Sequence, residues 1–140
     1  MRYLPFFALV FALLLGAQAT SNRATSEARP FVGQWSASFE GRNFMKLDLR
    51  DADPLSGRIK TGEIAVDSSG KLIFVAEGDG DEYDLVGIRI VGNRMFFQTK
   101  EEDGDLTKYE FALKPDGKAL LAVIAEGVKV QPFVLERARP

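Results

Sequence analysis

The chain has 140 residues, 46% of them apolar, with 18 Lys and Arg against 20 Asp and Glu and neither cysteine nor histidine. That composition excludes a disulfide framework, a thiol nucleophile, a Ser-His-Asp triad and a zinc site of imidazole or thiolate, leaving only carboxylate chemistry. A formal charge of -2 lacks the basic footprint of a nucleic-acid binder.

In chain order, Arg2 supplies a positive start, Leu4 to Leu15 is an almost unbroken apolar run, and Ala17-Gln18-Ala19 is a small-x-small cleavage site. These are the parts of a secretory signal peptide, predicted to end at Ala19. An apolar run of about 12 residues is shorter than the roughly 20 that a membrane-spanning helix needs. No cysteine follows it to take a lipid. The sequence therefore predicts a secreted or periplasmic protein without a membrane span. The remaining stretch of about 120 residues is long enough to bury a core without disulfides. Residues 20–30, rich in Ser, Thr, Arg and Ala, read as a flexible lead-in, and residues 31–138 as one domain.

From Phe31 onward apolar residues recur at period two, and Gly, Asn, Asp or Pro clusters interrupt them every 8 to 12 residues. The pattern predicts strands at about 31–40, 44–50, 57–66, 71–77, 84–91, 94–101, 105–113, 118–125 and 128–137. Turn chemistry sets the register. At the front, Gly41-Arg42-Asn43 as the loop places Trp35 opposite Leu49, Ala37 opposite Leu47 and Phe39 opposite Met45. Ser68-Ser69-Gly70 places Val66 opposite Leu72 and Ile64 opposite Phe74. Gly92-Asn93 places Ile90 opposite Met95, Ile88 opposite Phe97 and Val86 opposite Thr99, with Arg89 outside. Glu102-Asp103-Gly104 pairs Phe97 with Tyr109 and Met95 with Phe111. Pro115-Asp116-Gly117 pairs Leu113 with Ala119, Phe111 with Leu121 and Tyr109 with Val123. Pro132 switches the inward face of the last strand from Val128 and Val130 to Phe133, Leu135 and Arg137.

Consecutive hairpins with one apolar face make an all-β antiparallel up-and-down meander, which hides its edges by closing into a small barrel of eight to ten strands. A two-sheet sandwich of the same strands is the alternative. Antiparallel closure requires an even number of strands, so nine is an awkward count, weakest between residues 78 and 86 and in the last strand.

Gly33 and Trp35 open the first strand as a Gly-x-Trp signature, and Arg137 ends the last strand with a basic side chain at an inward position. The chain resembles the lipocalin, or calycin, superfamily in these residues. The resemblance implies that Trp35 lies at the closed end of the barrel with Arg137 across its ring; Arg139 shares the parity and is the backup. It also resembles small periplasmic lipocalin-like protease inhibitors, although those usually carry a disulfide.

The inward aromatics Trp35, Phe39, Phe74, Phe97, Tyr109, Phe111 and Phe133 are the candidates to line an apolar ligand site, or else they fill a small core. Phe96 and Leu120 point outward and could form a surface patch. The acidic stretch Glu77 to Asp84 and the turn Glu101 to Asp105 read as solvated loops rather than metal sites, because neither fits a calcium-binding loop. Glu63, Glu110 and Asp48 fall on the outer face, so no acid and base pair is poised. No catalytic residue, metal or cofactor is expected. The sequence thus predicts an exported, non-enzymatic binding protein for a small apolar ligand. The alternative is a protein-interaction or inhibitor module acting through its surface or residues 20–30.

Overall fold

A computed structural model describes residues 23–76 and 80–139. The signal-peptide reading of residues 1–19 lies outside them, as does part of the acidic stretch. The described chain is all-β and antiparallel. After a 3-10 turn at Arg29–Phe31 come strands β1 (Gly33–Phe39), β2 (Arg42–Arg50), β3 (Ser56–Thr61), β4 (Ile64–Val66), β5 (Leu72–Val75) and β6 (Asp81–Asp84). These are followed by β7 (Val86–Val91), β8 (Arg94–Lys100), β9 (Leu106–Leu113), β10 (Ala119–Ala125) and β11 (Val128–Arg137).

Nine strands form one sheet in the order β6-β3-β2-β1-β11-β10-β9-β8-β7, and β4-β5 is a separate two-stranded ribbon. The two edge strands, β6 and β7, are consecutive in the chain, with only Leu85 between them. They make one kinked stave that pairs with β3 through its first half and with β8 through its second. Counted this way the nearly closed barrel has eight staves, which satisfies antiparallel closure. The awkward count of nine includes the predicted strand 71–77, which is no stave but pairs with the end of the predicted strand 57–66 in the ribbon; the bounds of 57–66 and 84–91 shift as well. The first breaks after Thr61 to release the ribbon, and the second begins earlier, at Asp81.

Several expected registers hold: Leu113 faces Ala119, Phe111 faces Leu121, and Tyr109 lies between Val123 and Phe97. Ile90 faces Met95 as expected. The departures come from one shorter turn and from one-residue bulges, each bulge shifting the ladder by one residue. The first hairpin turns on two residues, Glu40 and Gly41, both with positive φ, so Phe39 faces Arg42 rather than Met45. Phe44 is then an extra residue in β2, and Trp35 faces Leu47 with Gly33 opposite Leu49. Trp35, Ala37, Met45, Leu47 and Leu49 stay buried because the shift totals two residues beyond the bulge.

In the ribbon, Val66 faces Leu72 as expected, but Ile73 is an extra residue that sets Val75, not Phe74, opposite Ile64. In β7 the ladder slips between Val86 and Arg89, so Val86 faces Gln98 rather than Thr99 and is exposed. In β11 the ladder shifts by one around Pro132, which keeps Val130 and Leu135 buried as the sequence predicts; Val128, expected inward, is exposed. On the outer wall Arg89 lies over the Phe96 ring at 4.8 Å, so Phe96 is not a bare apolar patch.

The described part of the lead-in packs against the barrel. Ala24 and Ala28 are buried, and the Ala24 N–H donates to Asp51 Oδ1 at 2.7 Å. Small side chains let this segment lie flat on the barrel, which composition alone does not disclose.

Candidate functional site

The barrel has two chemically different ends. At the first, the 3-10 turn folds inward and Phe31 is fully buried against Phe111, ring centroids 5.7 Å apart. Trp35 packs edge-on against Phe111 at 5.0 Å and its indole Nε1–H donates to the Phe31 carbonyl at 3.0 Å. Trp35 and Arg137 are cross-strand partners, which is where the last strand meets the first. The Arg137 guanidinium carbon stands 4.4 Å from the centre of the Trp35 ring, and Nη2 donates to the Pro30 carbonyl at 2.6 Å. One cation thus ties β1, β11 and the plugging turn together. Its parity suggested burial, but Arg137 is exposed: only its stack on the buried indole faces inward, and water keeps the charge solvated.

Gly33 has φ +132, yet a side chain there would meet only the Arg137 stem, at 4.0 Å. The glycine is needed for backbone conformation at the strand's start rather than for space.

The other end carries the β4-β5 ribbon. It leaves the wall at the end of β3, and its tip reaches β11, on the far side of β2 and β1 in the sheet order. The tip is organised by Asp67, whose Oδ1 accepts from the Ser69 N–H at 2.8 Å, the Ser69 hydroxyl at 2.6 Å and the Lys71 N–H at 3.0 Å. Those bonds, the hydroxyl first, hold the Asp67 carboxyl below its ordinary pKa. Gln131, beside the Pro132 bulge, gives its backbone N–H to the Gly70 carbonyl at 2.8 Å and its amide to the Ser69 carbonyl at 3.1 Å. Val75, on the inner face of the ribbon, is buried in the core, while Ile64, Val66 and Leu72 pack on its margin.

The seven candidate lining residues do not surround one space. Trp35 and Phe111 belong to the plug. Phe97 and Tyr109 are stacked at 4.8 Å, nearly parallel, midway along the barrel. Phe39 and Phe133 are half-buried and pack against the core, with Phe133 edge-on to Phe44 at 5.2 Å. Phe74 is the correction: it is 54% exposed on the outer side of the ribbon beside Ile73, because the Ile73 bulge turns Val75 inward in its place. Leu47, Met95 and Leu121, with no measurable exposure, fill much of the remaining interior.

Sequence reasoning missed a polar group inside the wall. Thr99 and Thr107 face each other across β8 and β9 and are 1% and 6% exposed. The Thr107 hydroxyl donates to Glu101 Oε1 at 3.1 Å, and Thr99 shares a hydrogen bond with Tyr109. Burial raises the pKa of the Tyr109 hydroxyl, and the bond to Thr99 works against that rise. The available signal was two threonines at facing inward positions, where β propensity alone would also explain them.

No protein-family model matches this chain, and a search of characterised proteins finds no similar sequence. The barrel is compatible with a small calycin-like architecture on its own geometry.

Elsewhere, a depression of about 390 Å³ lies on the outer wall of β1, β2, β3 and β6, lined by Gln34, Ser36, Lys46, Asp48, Arg58 and Glu82 among others. Arg58 there bridges Asp84 at 3.0 Å and Glu82 at 3.3 Å, so part of the stretch read as a loop is a paired strand. Asp48 and Glu63 are exposed, and Glu110 pairs with Arg94 at 2.8 Å on the outer wall. No described helix is long and apolar enough to cross a membrane.

Proposed function

We propose that the protein is an exported, non-enzymatic binding protein that takes a small apolar molecule at the ribbon-covered end of its barrel. The observation that carries this reading is the asymmetry of the ends. One is tied down by Trp35, Arg137 and Pro30, whereas the other is covered by a ribbon outside the main sheet, whose tip is latched through Gln131. A two-stranded ribbon is marginal alone, so it is the element that opens at least cost. Lifting it draws its own Val75 out of the core and opens the barrel end where Phe39 and the Phe44–Phe133 pair lie, an apolar surface of the kind that receives hydrophobic ligands. Export rests on the sequence of residues 1–19.

The test is native mass spectrometry of protein recovered from the exported fraction of its host, followed by calorimetric titration with decanol. A copurified apolar molecule, or one decanol bound per chain, is the expected result. An empty protein that takes up no decanol overturns the reading.

A second reading, a protein-interaction module, is favoured by one observation: Ile73 and Phe74 project side by side from the outer face of the ribbon, each more than half exposed. A protein partner would press on that face. Phe74→Ser separates the two readings, since it would abolish partner capture and leave decanol binding unchanged.

A further inference from the structure

The kinked stave leaves a seam in the wall near the ribbon-covered end. Below Leu85 the stave pairs with β8, but from Asp81 to Asp84 it pairs with β3 instead, so β6 and the end of β8 lie close without a ladder between them. Tyr83 stands on one side of the seam and Glu101 closes β8 on the other. Glu101 is half-buried and is fixed by the Thr107 hydroxyl at 3.1 Å, itself buried in the wall. The stacked Phe97–Tyr109 pair lies further down the same wall, where Tyr109 bonds to Thr99.

The chemistry of this group is specific. A carboxylate held in place by a buried donor, with hydroxyl oxygens and aromatic rings nearby, suits a protonated amine, which donates hydrogen bonds and is attracted to ring faces. It suits an anion poorly. The Tyr83 hydroxyl is held above its ordinary pKa by burial first and then by the charges of Asp81, Glu101 and Glu102, so negative potential reaches the seam. A hard cation is also a poor fit, since among the described residues no three carboxylates converge to hold one.

We infer that Glu101 receives the protonated amine of an amphiphile whose apolar part lies beneath the β4-β5 ribbon, an inference that rests on the binding function proposed above. Thr107 is then a positioning residue, and Tyr83 offers its ring to the cation.

The test compares three probes of equal chain length, decylamine, decanol and decanoate, by calorimetry at neutral pH on the wild-type protein, Glu101→Gln and Glu136→Gln. Glutamine keeps an acceptor for Thr107 and removes the charge. Glu136, paired with Lys118 on the outer wall, controls for net charge. The expected result is one decylamine per chain, bound about tenfold more tightly than decanol, with decanoate weakest. Glu101→Gln should bring decylamine to within about twofold of decanol, and Glu136→Gln should change nothing. Equal binding of decylamine and decanol, a preference for decanoate, several amines per chain, or a preference that survives Glu101→Gln each overturns the assignment while leaving the apolar site standing. Failure of all three probes to bind removes the apolar site as well.

Discussion

Arg137→Ala should destabilise the barrel by about 2 kcal/mol, because that residue performs three tasks at one junction. The stack of an exposed guanidinium on the Trp35 ring at 4.4 Å contributes about 0.5–1 kcal/mol. The bond to the Pro30 carbonyl at 2.6 Å is charge-assisted but solvent-exposed, and about 1 kcal/mol is a fitting net value. The aliphatic stem shields Gly33, for roughly another 0.5 kcal/mol. In a domain of this size the total corresponds to a fall in Tm of about 5–10 °C. Urea unfolding followed by far-ultraviolet circular dichroism reads the difference directly. Arg137→Lys keeps the charge but loses the planar stack, and about half the effect should remain. Arg94→Ala is the comparison, since it breaks an exposed ion pair with Glu110 at 2.8 Å and should cost under about 1 kcal/mol. Equal losses for Arg137→Ala and Arg94→Ala would refute the idea that this cation closes the barrel.

Phe111→Ala empties the space that Phe31 and Trp35 pack against and should cost about 3–5 kcal/mol, measured in the same unfolding experiment. At the other end, Gly70→Ala places a Cβ 2.2 Å from the Lys129 carbonyl oxygen at a residue with φ +84, so the ribbon tip must leave β11. Hydrogen exchange should then speed up at the Gln131 amide while amides of β9 and β10 stay protected. The tip should also respond to acid with a defined sign. Because the Asp67 carboxyl titrates below its ordinary value of 3.8 in the folded chain, its contribution is complete above that pH and is lost as pH falls through the lower folded pKa. The Lys71 amide shift should report a midpoint under 3.8, and a midpoint at or above it contradicts the Asp67 turn.

The sequence made the barrel legible wherever a turn has its own chemistry. Pro115-Asp116-Gly117 and Glu102-Asp103-Gly104 fixed three strands in correct register, and parity brought Arg137 to Trp35. Bulges were not legible. The extra residues Phe44 and Ile73 look like ordinary strand residues, yet Ile73 alone moved Phe74 from the expected lining to the surface. Pro132 was the exception, because a residue without an N–H marks its own bulge. The kink at Leu85 escaped because it consists of a change of partner from β3 to β8, a tertiary event that leaves local periodicity unmarked. The candidate site was half visible. Parity marks Phe39 and Phe133 as inward aromatics, and both are half-buried on the core, whereas Glu101 has the sequence context of a turn residue and its bond from the buried Thr107 hydroxyl shows only in the fold.

The most direct test of the binding function uses the lone tryptophan as an internal reference. In a titration of the protein with decanol followed by amide and indole chemical shifts, the account predicts movement at Val75, Gln131 and Phe133. The Trp35 indole proton, held by the Phe31 carbonyl in the plugged end, should stay still. Shifts centred on Trp35 and Phe111, or confined to the outer wall around Lys46 and Arg58, would contradict it.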